Sequence, residues 1–299
     1  MGSKSKIVKE MIKVFPKADN FYDLFGGGFS VTHAMIVHRS KHYKSFHYNE
    51  IRKGACELIK DAIAGKYNYD VFKPNFVTRS EFQVEKERSF YHKIIWSFGN
   101  SGKNYLFGKD IEKQKESLHN AVVFDQFDDW AKKFFGFETF GKLKDIKERR
   151  LYCKNKIKYN KSKRMDLEQL ERLEQLQQLQ QLQQLEQLNF YNKSYIDVPI
   201  KDNSIIYCDP PYKGTADYDG NNRFNHAEFL DWVHENKSPV FISEYNIDDK
   251  RFRCIFKIKK RSLLSSDKSV GDKIEKLYVN KAGLNLLMKN KLNKSGQKL

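Results

Sequence analysis

Short apolar segments that end in polar or glycine-rich turns lie near both ends of the chain. Near the N-terminus, residues 3–15 follow a helical hydrophobic period, and residues 20–25 have the aromatic and apolar content of a buried strand. Residues 26–30 (GGGFS) open a second helix, and another strand is predicted over residues 44–48, ending at Asn49-Glu50. A strand, a helix and a second strand in this order predict the start of a parallel sheet of the nucleotide-binding kind.

The alternation of strands and helices returns after residue 203. Residues 204–208 (SIIYC) have the β-branched and aromatic content of a buried strand. Further strands are predicted over residues 238–246, 252–260 and 276–279, with a helix over residues 226–235. We therefore expect the two ends of the chain to form the two halves of one Rossmann-like α/β sheet.

Residues 65–165, between these two regions, are rich in aromatic and basic side chains and show no clean periodicity. Within them, residues 97–104 (SFGNSGKN) have the composition of a loop. A loop among cations and rings is a common way to present hydrogen-bonding groups to nucleic acid. The alternative is a small accessory domain that binds no ligand, since many surface loops only connect elements.

Residues 166–188 (DLEQLERLEQLQQLQQLQQLEQL) carry leucine at every third position. An α-helix advances by about 100° per residue, so this spacing carries the leucines around the axis, unlike a heptad zipper. Because Leu, Gln and Glu favour helix, we expect a helix of about five to six turns over residues 166–190. Self-association is one interpretation of this helix, and we favour the other, a tolerated low-complexity linker.

Charge and cysteine content narrow the class of protein. The formal charge of +17, from 55 Lys and Arg against 38 Asp and Glu, indicates a polyanionic partner, with solubility as the alternative explanation. No apolar run has the length of a membrane span. The cysteines lie far apart without a Cys-x-x-Cys pair, which argues against disulfides and structural zinc and for a reducing cytoplasm. They are Cys56, Cys153, Cys208 and Cys254.

The glycine-rich turn after the first strand is a candidate cofactor loop. Backbone N–H groups at the start of the following helix favour a carboxylate or phosphate, and glycine lets a ligand approach the backbone. Asp23 precedes the turn and is placed to bind an ammonium group, and Glu50 is placed to bind ribose hydroxyls. Carboxylate, amine and ribose together describe S-adenosylmethionine better than a dinucleotide. The alternative is that both acids are merely solvated.

Two other kinds of site are disfavoured. The glycine turn lacks the Gly-Lys-Ser/Thr ending of a P-loop, which argues against ATP hydrolysis. His33, His38, His42 and His47 lie close in sequence, but they share no helical face and have no cysteine nearby. No metal is therefore expected.

The strand over residues 204–208 must stop at Asp209, because Pro210 and Pro211 can neither continue a ladder nor begin a helix there. Its end therefore presents a carboxylate, two peptide carbonyls and the ring of Tyr212. This is an acceptor-rich pocket with an aromatic lid.

Taken together, these motifs resemble the Dam-like, D12-class N6-adenine DNA methyltransferases of the alpha group, in which the cofactor motif precedes the target-recognition region and the catalytic motif. The resemblance covers most of the chain. Asp209-Pro210-Pro211-Tyr212 is the same as the family's catalytic motif. Phe25-Gly26-Gly27-Gly28-Phe29 is similar to its Phe-x-Gly-x-Gly with the last glycine displaced, and Gly2-Ser3-Lys4 is similar to its Gly-Gly-Lys. The leucine-glutamine repeat resembles a subgroup from phages and phase-variable bacterial genes.

The resemblance implies an α/β fold, a Rossmann-like S-adenosylmethionine-dependent methyltransferase sheet with an inserted, mainly helical target-recognition domain. We expect the core in residues 1–64 and 191–285 and the target-recognition insertion in residues 65–165. The repeat helix would occupy residues 166–190, and residues 286–299 would form a basic tail.

S-adenosylmethionine is the cofactor that the resemblance implies. Tyr195 is implied to stack on the cofactor adenine, although Ser194 stands where the family usually has Asp. The implied cofactor-binding residues are Lys4, Asp23, Phe25, Gly26, Gly27, Gly28, Phe29, Ser30, Glu50, Tyr195 and Asp209.

The implied reaction is methylation of adenine N6 in DNA, which we expect to be double-stranded. Adenine N6 is a poor nucleophile because its lone pair is delocalised, so Asp209 and the Pro210 carbonyl are expected to accept its N–H bonds. Tyr212 would stack on a base that has left the duplex. In-line attack on a methyl group needs positioning more than acid–base catalysis. Candidate DNA contacts are Lys93, Lys103, Asn104 and Tyr105.

Two alternatives stay open from the sequence. The same chemistry on RNA or on a protein glutamine is one, because the motif occurs in other amino-nitrogen methyltransferases. A DNA-binding or scaffolding protein with an inactive methyltransferase core is the other. Phe29 and Ser194 keep that reading open, whereas the intact Asp209-Pro210-Pro211-Tyr212 argues against it.

Overall fold

The computed structural model describes residue 4 and residues 7–159, 165–183, 185–212, 224–260 and 273–295. The chain divides into two compact units. The first unit contains Met1–Cys56 and Leu185–Leu299, and the second contains Glu57–Gln184. The first unit is therefore built from two separate chain segments.

The described residues of the first unit form a seven-stranded mixed sheet with flanking helices. In chain order, β1 to β7 are Asn20–Asp23, Ser45–Asn49, Leu188–Tyr191, Ser204–Cys208, Val240–Glu244, Arg253–Lys260 and Lys273–Val279. Their spatial order is β3-β2-β1-β4-β5-β7-β6. Strands β1 to β5 pair in parallel, whereas β7 runs antiparallel to both β5 and β6. The predicted Rossmann-like α/β fold is confirmed.

The α-helices of the described residues are numbered α1 to α11 in chain order. They are Val8–Met11, Ser30–Arg39, Ala55–Ile63, Arg79–Arg88, Phe90–Ile95, Glu112–Phe124, Asp129–Phe135, Ile146–Tyr159, Glu168–Gln177, His226–Glu235 and Lys281–Ser295. Short 3₁₀ segments cover Ile12–Val14, Ser40–His42, Phe98–Asn100, Lys109–Ile111, Gln178–Leu182 and Tyr195–Asp197. None of the helices in the described ranges combines the length and apolar content that crossing a bilayer requires.

The central strands are buried on both faces, which explains their nearly continuous apolar sequence. On one face, the ring of Phe15 packs edge-on against Phe21, Tyr207 and Phe241 at centroid distances of 5.0–5.8 Å. On the other face, Ile206 belongs to an apolar cluster that includes Phe229 and Val233 of α10. Alternate residues of β4 thus serve two cores, and β4 is held rigidly between them.

The strand order reverses at β1, which has β2 on one side and β4 on the other. The five parallel strands end at the same edge of the sheet, at Asp23, Asn49, Tyr191, Cys208 and Glu244. In open α/β sheets, ligands bind outside the carboxyl ends of the strands at the position where the order reverses. The fold therefore predicts a site around the ends of β1 and β4.

Two predicted helices differ from the structure. Residues 3–15 were expected to form one helix, but α1 covers Val8–Met11 and Ile12–Val14 is 3₁₀. Residues 1–3, 5 and 6, and with them Gly2 and Ser3, lie outside the described residues. The predicted repeat helix over residues 166–190 was too long, because α9 ends at Gln177 and β3 already begins at Leu188.

The leucine repeat is buried in spite of its three-residue spacing. In α9 each leucine lies about 60° around the axis from the one before, so the buried face is broad. The following Gln178–Leu182 segment is 3₁₀, and a helix with three residues per turn aligns Leu179 and Leu182. The buried leucines are Leu167, Leu170, Leu173, Leu176, Leu179 and Leu182.

Candidate active site

The glycine-rich turn between β1 and α2 is fastened to the end of β2. The Gly26 N–H donates to the Asn49 carbonyl at 2.8 Å, and the Gly27 N–H donates to Glu50 Oε2 at 2.8 Å. The Tyr48 hydroxyl donates to the Gly27 carbonyl at 2.7 Å. A Cβ atom on Gly26 would lie 2.1 Å from the Tyr48 ring, so glycine is required there. The turn is held before any ligand arrives.

Phe29 stands where the related motif has its last glycine. Its φ is +66°, in the left-handed region that favours glycine, and it is the residue directly before α2. Its buried ring packs against Tyr48 and Phe190 at centroid distances of 5.2 and 6.4 Å. The turn therefore keeps a glycine-type backbone while the side chain fills the apolar space below it.

Asp23 closes β1 with a buried carboxylate. Its Oδ2 accepts a hydrogen bond from the Thr32 hydroxyl at 2.8 Å, whereas no described residue donates to its buried Oδ1. Burial raises the pKa of Asp23 to about 7, against the opposing bond from Thr32 and with added repulsion from Asp209. A buried carboxylate oxygen without a donor suits a cationic ligand group.

Glu50 lies at the end of β2 and links several backbone segments. Its Oε1 accepts hydrogen bonds from the backbone N–H and the Nε of Arg52, both at 3.0 Å, and its Oε2 accepts from Gly27. The Asn192 amide donates to the carbonyls of Glu50 and Ile51 and so ties the ends of β2 and β3 together. Glu50 therefore stands beside the glycine turn as a fixed carboxylate.

Phe25 and Tyr195, both predicted to bind cofactor, are brought together by the fold. Their rings stack at a centroid distance of 5.4 Å. Tyr195 also packs edge-on against Phe229 at 5.4 Å and Trp232 at 5.1 Å. Burial raises the pKa of Tyr195 to about 12, so its hydroxyl stays protonated at neutral pH. The two rings form an aromatic wall at the ends of β1 and β3.

The Asp-Pro-Pro-Tyr segment follows β4, and the Lys4 side chain reaches it from the N-terminal segment. Lys4 Nζ lies 3.1 Å from Asp209 Oδ1 and also contacts Glu275 Oε1 and the Tyr212 hydroxyl. The Tyr212 hydroxyl in turn donates to Glu275 Oε1. Lys4 and Glu275 are only 3% and 2% exposed. Lys4, predicted as a cofactor-binding residue, thus contacts two of the predicted catalytic residues.

The charges in this cluster shift the pKa values of its members. Burial raises the pKa of Asp209; Lys4 opposes that rise and Glu275 adds to it. Burial alone would lower the pKa of Lys4, but Asp209 and Glu275 together outweigh it and hold that pKa above its usual value. Burial and the neighbouring acids keep the pKa of the Tyr212 hydroxyl high. Lys4 is therefore a permanent cation beside Asp209.

Tyr212 and Tyr245 form a second aromatic corner. Their rings are perpendicular, with centroids 4.6 Å apart, and Lys4 Nζ lies 4.8 Å from the centroid of the Tyr212 ring. Sequence reasoning missed both Glu275 and Tyr245. The available signals were a lone carboxylate directly before the strand predicted over residues 276–279 and a tyrosine directly after the strand VFISE.

The predicted DNA contacts lie on the second unit, around residues 97–104. This loop is closed by a bridge between Ser97 and Tyr105 and by the hydrogen bond from the Phe98 N–H to the Asn104 carbonyl at 2.8 Å. Lys103 and Asn104 are exposed, as is the Phe98 ring at 56%.

The other two candidates are placed differently. Lys93 is half-buried, and its side-chain carbons lie beside Gly102. Tyr105 is buried, and its hydroxyl donates to the Val77 carbonyl at 2.6 Å. Its ring also lies 4.9 Å from the Arg79 guanidinium carbon. Tyr105 therefore has a structural role in holding the loop, whereas Lys103 and Asn104 face solvent.

Comparison with known proteins supplies the family. Residues 1–270 match the family model for D12 class N6 adenine-specific DNA methyltransferases. Among solved structures, the rRNA methyltransferase aviRa from Streptomyces viridochromogenes is similar, with 7% identity, 93% of this chain and 85% of that chain covered, and a TM-score of 0.36. A search of curated proteins gives no match. On the family match, this chain belongs to the D12 class N6 adenine-specific DNA methyltransferases, enzymes that transfer a methyl group from a donor to adenine in DNA.

Proposed function

We propose that the protein is a site-specific adenine methyltransferase of the Dam-like alpha group, akin to the phage and phase-variable subgroup. It would use S-adenosylmethionine and act on an adenine flipped out of double-stranded DNA. The observation that carries this proposal is the Asp209-to-Tyr212 segment at the carboxyl end of β4, next to the switch point, with Lys4 held against Asp209.

The residues around the ends of β1, β2 and β3 fit S-adenosylmethionine. Asp23 offers a buried carboxylate oxygen without a described donor for the ammonium group, and Glu50 offers a fixed carboxylate for the ribose hydroxyls. Phe25 and Tyr195 offer an aromatic wall for the adenine ring. When bound, this cofactor supplies an electrophilic methyl group on a sulfonium.

Asp209 and Pro210 act on the amino group of the substrate base. An ionised Asp209 carboxylate accepts hydrogen bonds only, and Lys4 favours that ionised form. The Pro210 carbonyl supplies a second acceptor at the end of the strand. Two acceptors orient both N–H bonds of an exocyclic amine and withdraw its lone pair from the ring. Tyr212 supplies an aromatic face for the base, and its contacts with Lys4 and Tyr245 fix its orientation.

The same donors and acceptors serve for RNA, so the test includes both polymers. Methyl transfer from labelled S-adenosylmethionine would be measured on unmethylated duplex DNA, single-stranded DNA and RNA, with nucleoside analysis of the products. We expect N6-methyladenine in duplex DNA, lost in Asp209→Asn and kept in the control Asp248→Asn, an exposed aspartate of the same unit. Label only in RNA, or in no polymer, would contradict the proposal.

A further inference from the structure

Glu275 is a buried carboxylate that no step of the proposed reaction uses. It lies on β7, where Lys276 pairs with Glu244 at the end of β5, so Glu275 stands just beyond the carboxyl end of that strand. The antiparallel insertion of β7 between β5 and β6 thus brings it to the edge of the sheet that carries Asp209.

Both contacts of Glu275 Oε1 lead back to the catalytic segment. It accepts from Lys4 Nζ and from the Tyr212 hydroxyl, and Lys4 Nζ in turn lies 3.1 Å from Asp209 Oδ1. The Oε2 atom is buried, and none of the described residues donates to it. Removing a carboxylate from water is costly unless it is paired, so this position places an acid where an apolar residue would be expected.

The cluster holds one ammonium between two carboxylates. A carboxylate bound to an ammonium of its own is largely neutralised, which weakens it as an acceptor for a further N–H donor. When a second carboxylate shares the same ammonium, the first carboxylate is less neutralised. The second carboxylate also holds the ammonium in place. The Tyr212 hydroxyl, fixed on the same oxygen, orients the ring that follows the two prolines.

We propose that Glu275 is a positioning residue: it holds the Lys4 ammonium and the Tyr212 hydroxyl beside Asp209 and takes up part of the Lys4 charge. Lys4 favours the ionised form of Asp209, whereas the Glu275 charge opposes it. Because Lys4 is shared with Glu275, the Asp209 carboxylate is less neutralised and remains a strong acceptor for the substrate amine. This inference rests on the proposed function. Among the described residues, the titratable groups that act on Asp209 and its neighbours include Lys4, Asp23, Glu50, Tyr207, Cys208, Tyr212, Glu244, Tyr245 and Glu275.

The test compares Glu275→Gln, Lys4→Met and the double variant with wild type, using Glu235→Gln as an exposed control. Glu275→Gln keeps an acceptor oxygen but loses the charge, so we expect kcat to fall roughly tenfold, as for the loss of one charge-assisted bond. The acid limb of the pH profile should move to lower pH, because the Glu275 charge raises the pKa of Asp209.

The double variant separates positioning from simple structural support. Lys4→Met leaves the buried Asp209 and Glu275 carboxylates without their shared cation, which raises the pKa of Asp209 and moves the acid limb to higher pH. Adding Glu275→Gln removes the repulsion between the two carboxylates, so the double variant should be several-fold more active than Lys4→Met alone. Equal or lower activity of the double variant, or an unchanged profile in Glu275→Gln, would overturn the proposal.

A measurement without DNA keeps this result separate from the proposed function. The pKa of Asp209 can be followed by carboxyl ¹³C NMR in the full-length protein, with its signal assigned by Asp209→Asn. We expect a lower pKa in Glu275→Gln and no change in Glu235→Gln. If wild type methylates no DNA but this shift is present, the function fails and the coupling stands. An unchanged pKa of Asp209 removes the coupling whatever the substrate.

Discussion

The buried Asp23 carboxylate destabilises the folded protein, and it is placed to bind a cation. Its carboxylate is buried with one oxygen lacking a described donor, and a rise in its pKa from near 3.8 to about 7 corresponds to about 4 kcal/mol of lost stability above pH 7. Because the folded pKa is raised, the loss grows from pH 4 to pH 7 and is absent at lower pH.

The substitution Asp23→Asn should therefore have opposite effects on folding and on cofactor binding. We expect a higher Tm for the free protein at pH 8, a gain that shrinks toward pH 4, and weaker binding of S-adenosylmethionine. Thermal unfolding at both pH values and calorimetric titration would measure the two effects, with Asp248→Asn as control. Unchanged cofactor affinity would show that the Asp23 carboxylate does not meet the ammonium group.

The predicted contact between the second unit and DNA can be tested at Lys103. It is exposed on the 97–104 loop, so a phosphate contact would add to affinity in a salt-dependent way. We expect Lys103→Gln to weaken duplex binding and to reduce the slope of log affinity against log salt by about one, with cofactor affinity unchanged. Fluorescence anisotropy at several salt concentrations tests this, with the exposed Lys142→Gln as control. If Lys103→Gln keeps the wild-type slope, Lys103 does not contact a DNA phosphate.

Strands with a strong apolar pattern were predictable at the scale of the element. β4 was predicted at its observed bounds because its β-branched and aromatic residues are followed by Asp209 and two prolines. The strand Ser204–Cys208 is buried throughout. β3 was missed because its four residues follow a low-complexity repeat whose composition favours helix. The position of Glu275 beside Asp209 depends on the antiparallel insertion of β7, which no local pattern records. Strands with a strong local pattern could therefore be predicted from the sequence, whereas the cluster of Lys4, Asp209 and Glu275 could not, because it depends on the strand order.

The leucine repeat makes a prediction about length. Because burial follows a three-residue spacing, an added Leu-Gln-Gln triplet before Leu182 keeps leucine at every buried position. A single added glutamine places a polar side chain where Leu182 is buried, which costs on the order of 2 kcal/mol or more. We expect the single insertion to lower Tm more than the triplet insertion. The reverse order in thermal unfolding would contradict the role assigned to the leucines.

At the scale of the whole molecule, each of the two units contains a buried histidine whose pKa is lowered. His47 in the first unit stacks on Tyr22. His119 in the second unit donates from Nε2 to the Pro74 carbonyl and accepts at Nδ1 from the Gln169 amide. Burial lowers the pKa of each to about 4. Unfolded histidine protonates near pH 6.5, so the stability they contribute is present above that pH and is lost as pH falls toward 4.

Acid should therefore destabilise the second unit more than the first. In the first unit, the stability lost through His47 as the pH falls is opposed by Asp23. Because the pKa of Asp23 is raised, its protonation stabilises the fold as the pH falls from 7 to 4. Hydrogen exchange at pH 7.5 and pH 5, corrected for intrinsic rates, should show the larger loss of protection in α4 to α9. His119→Gln should flatten that dependence and the exposed His38→Gln should not. Equal losses in both units would contradict this account.

The split of the first unit into two chain segments has a consequence for synthesis on the ribosome. β1 lies between β2 and β4, but about 150 residues separate the end of β2 from the start of β4. At roughly 5–20 residues per second, the emerging β1 waits on the order of ten seconds or longer for its second neighbour. During this time the nascent chain exposes β1 and β2 without the other five strands of the sheet, and such a chain is expected to bind chaperones. A message truncated within the second unit would yield Lys4 and the glycine turn without the Asp-Pro-Pro-Tyr segment.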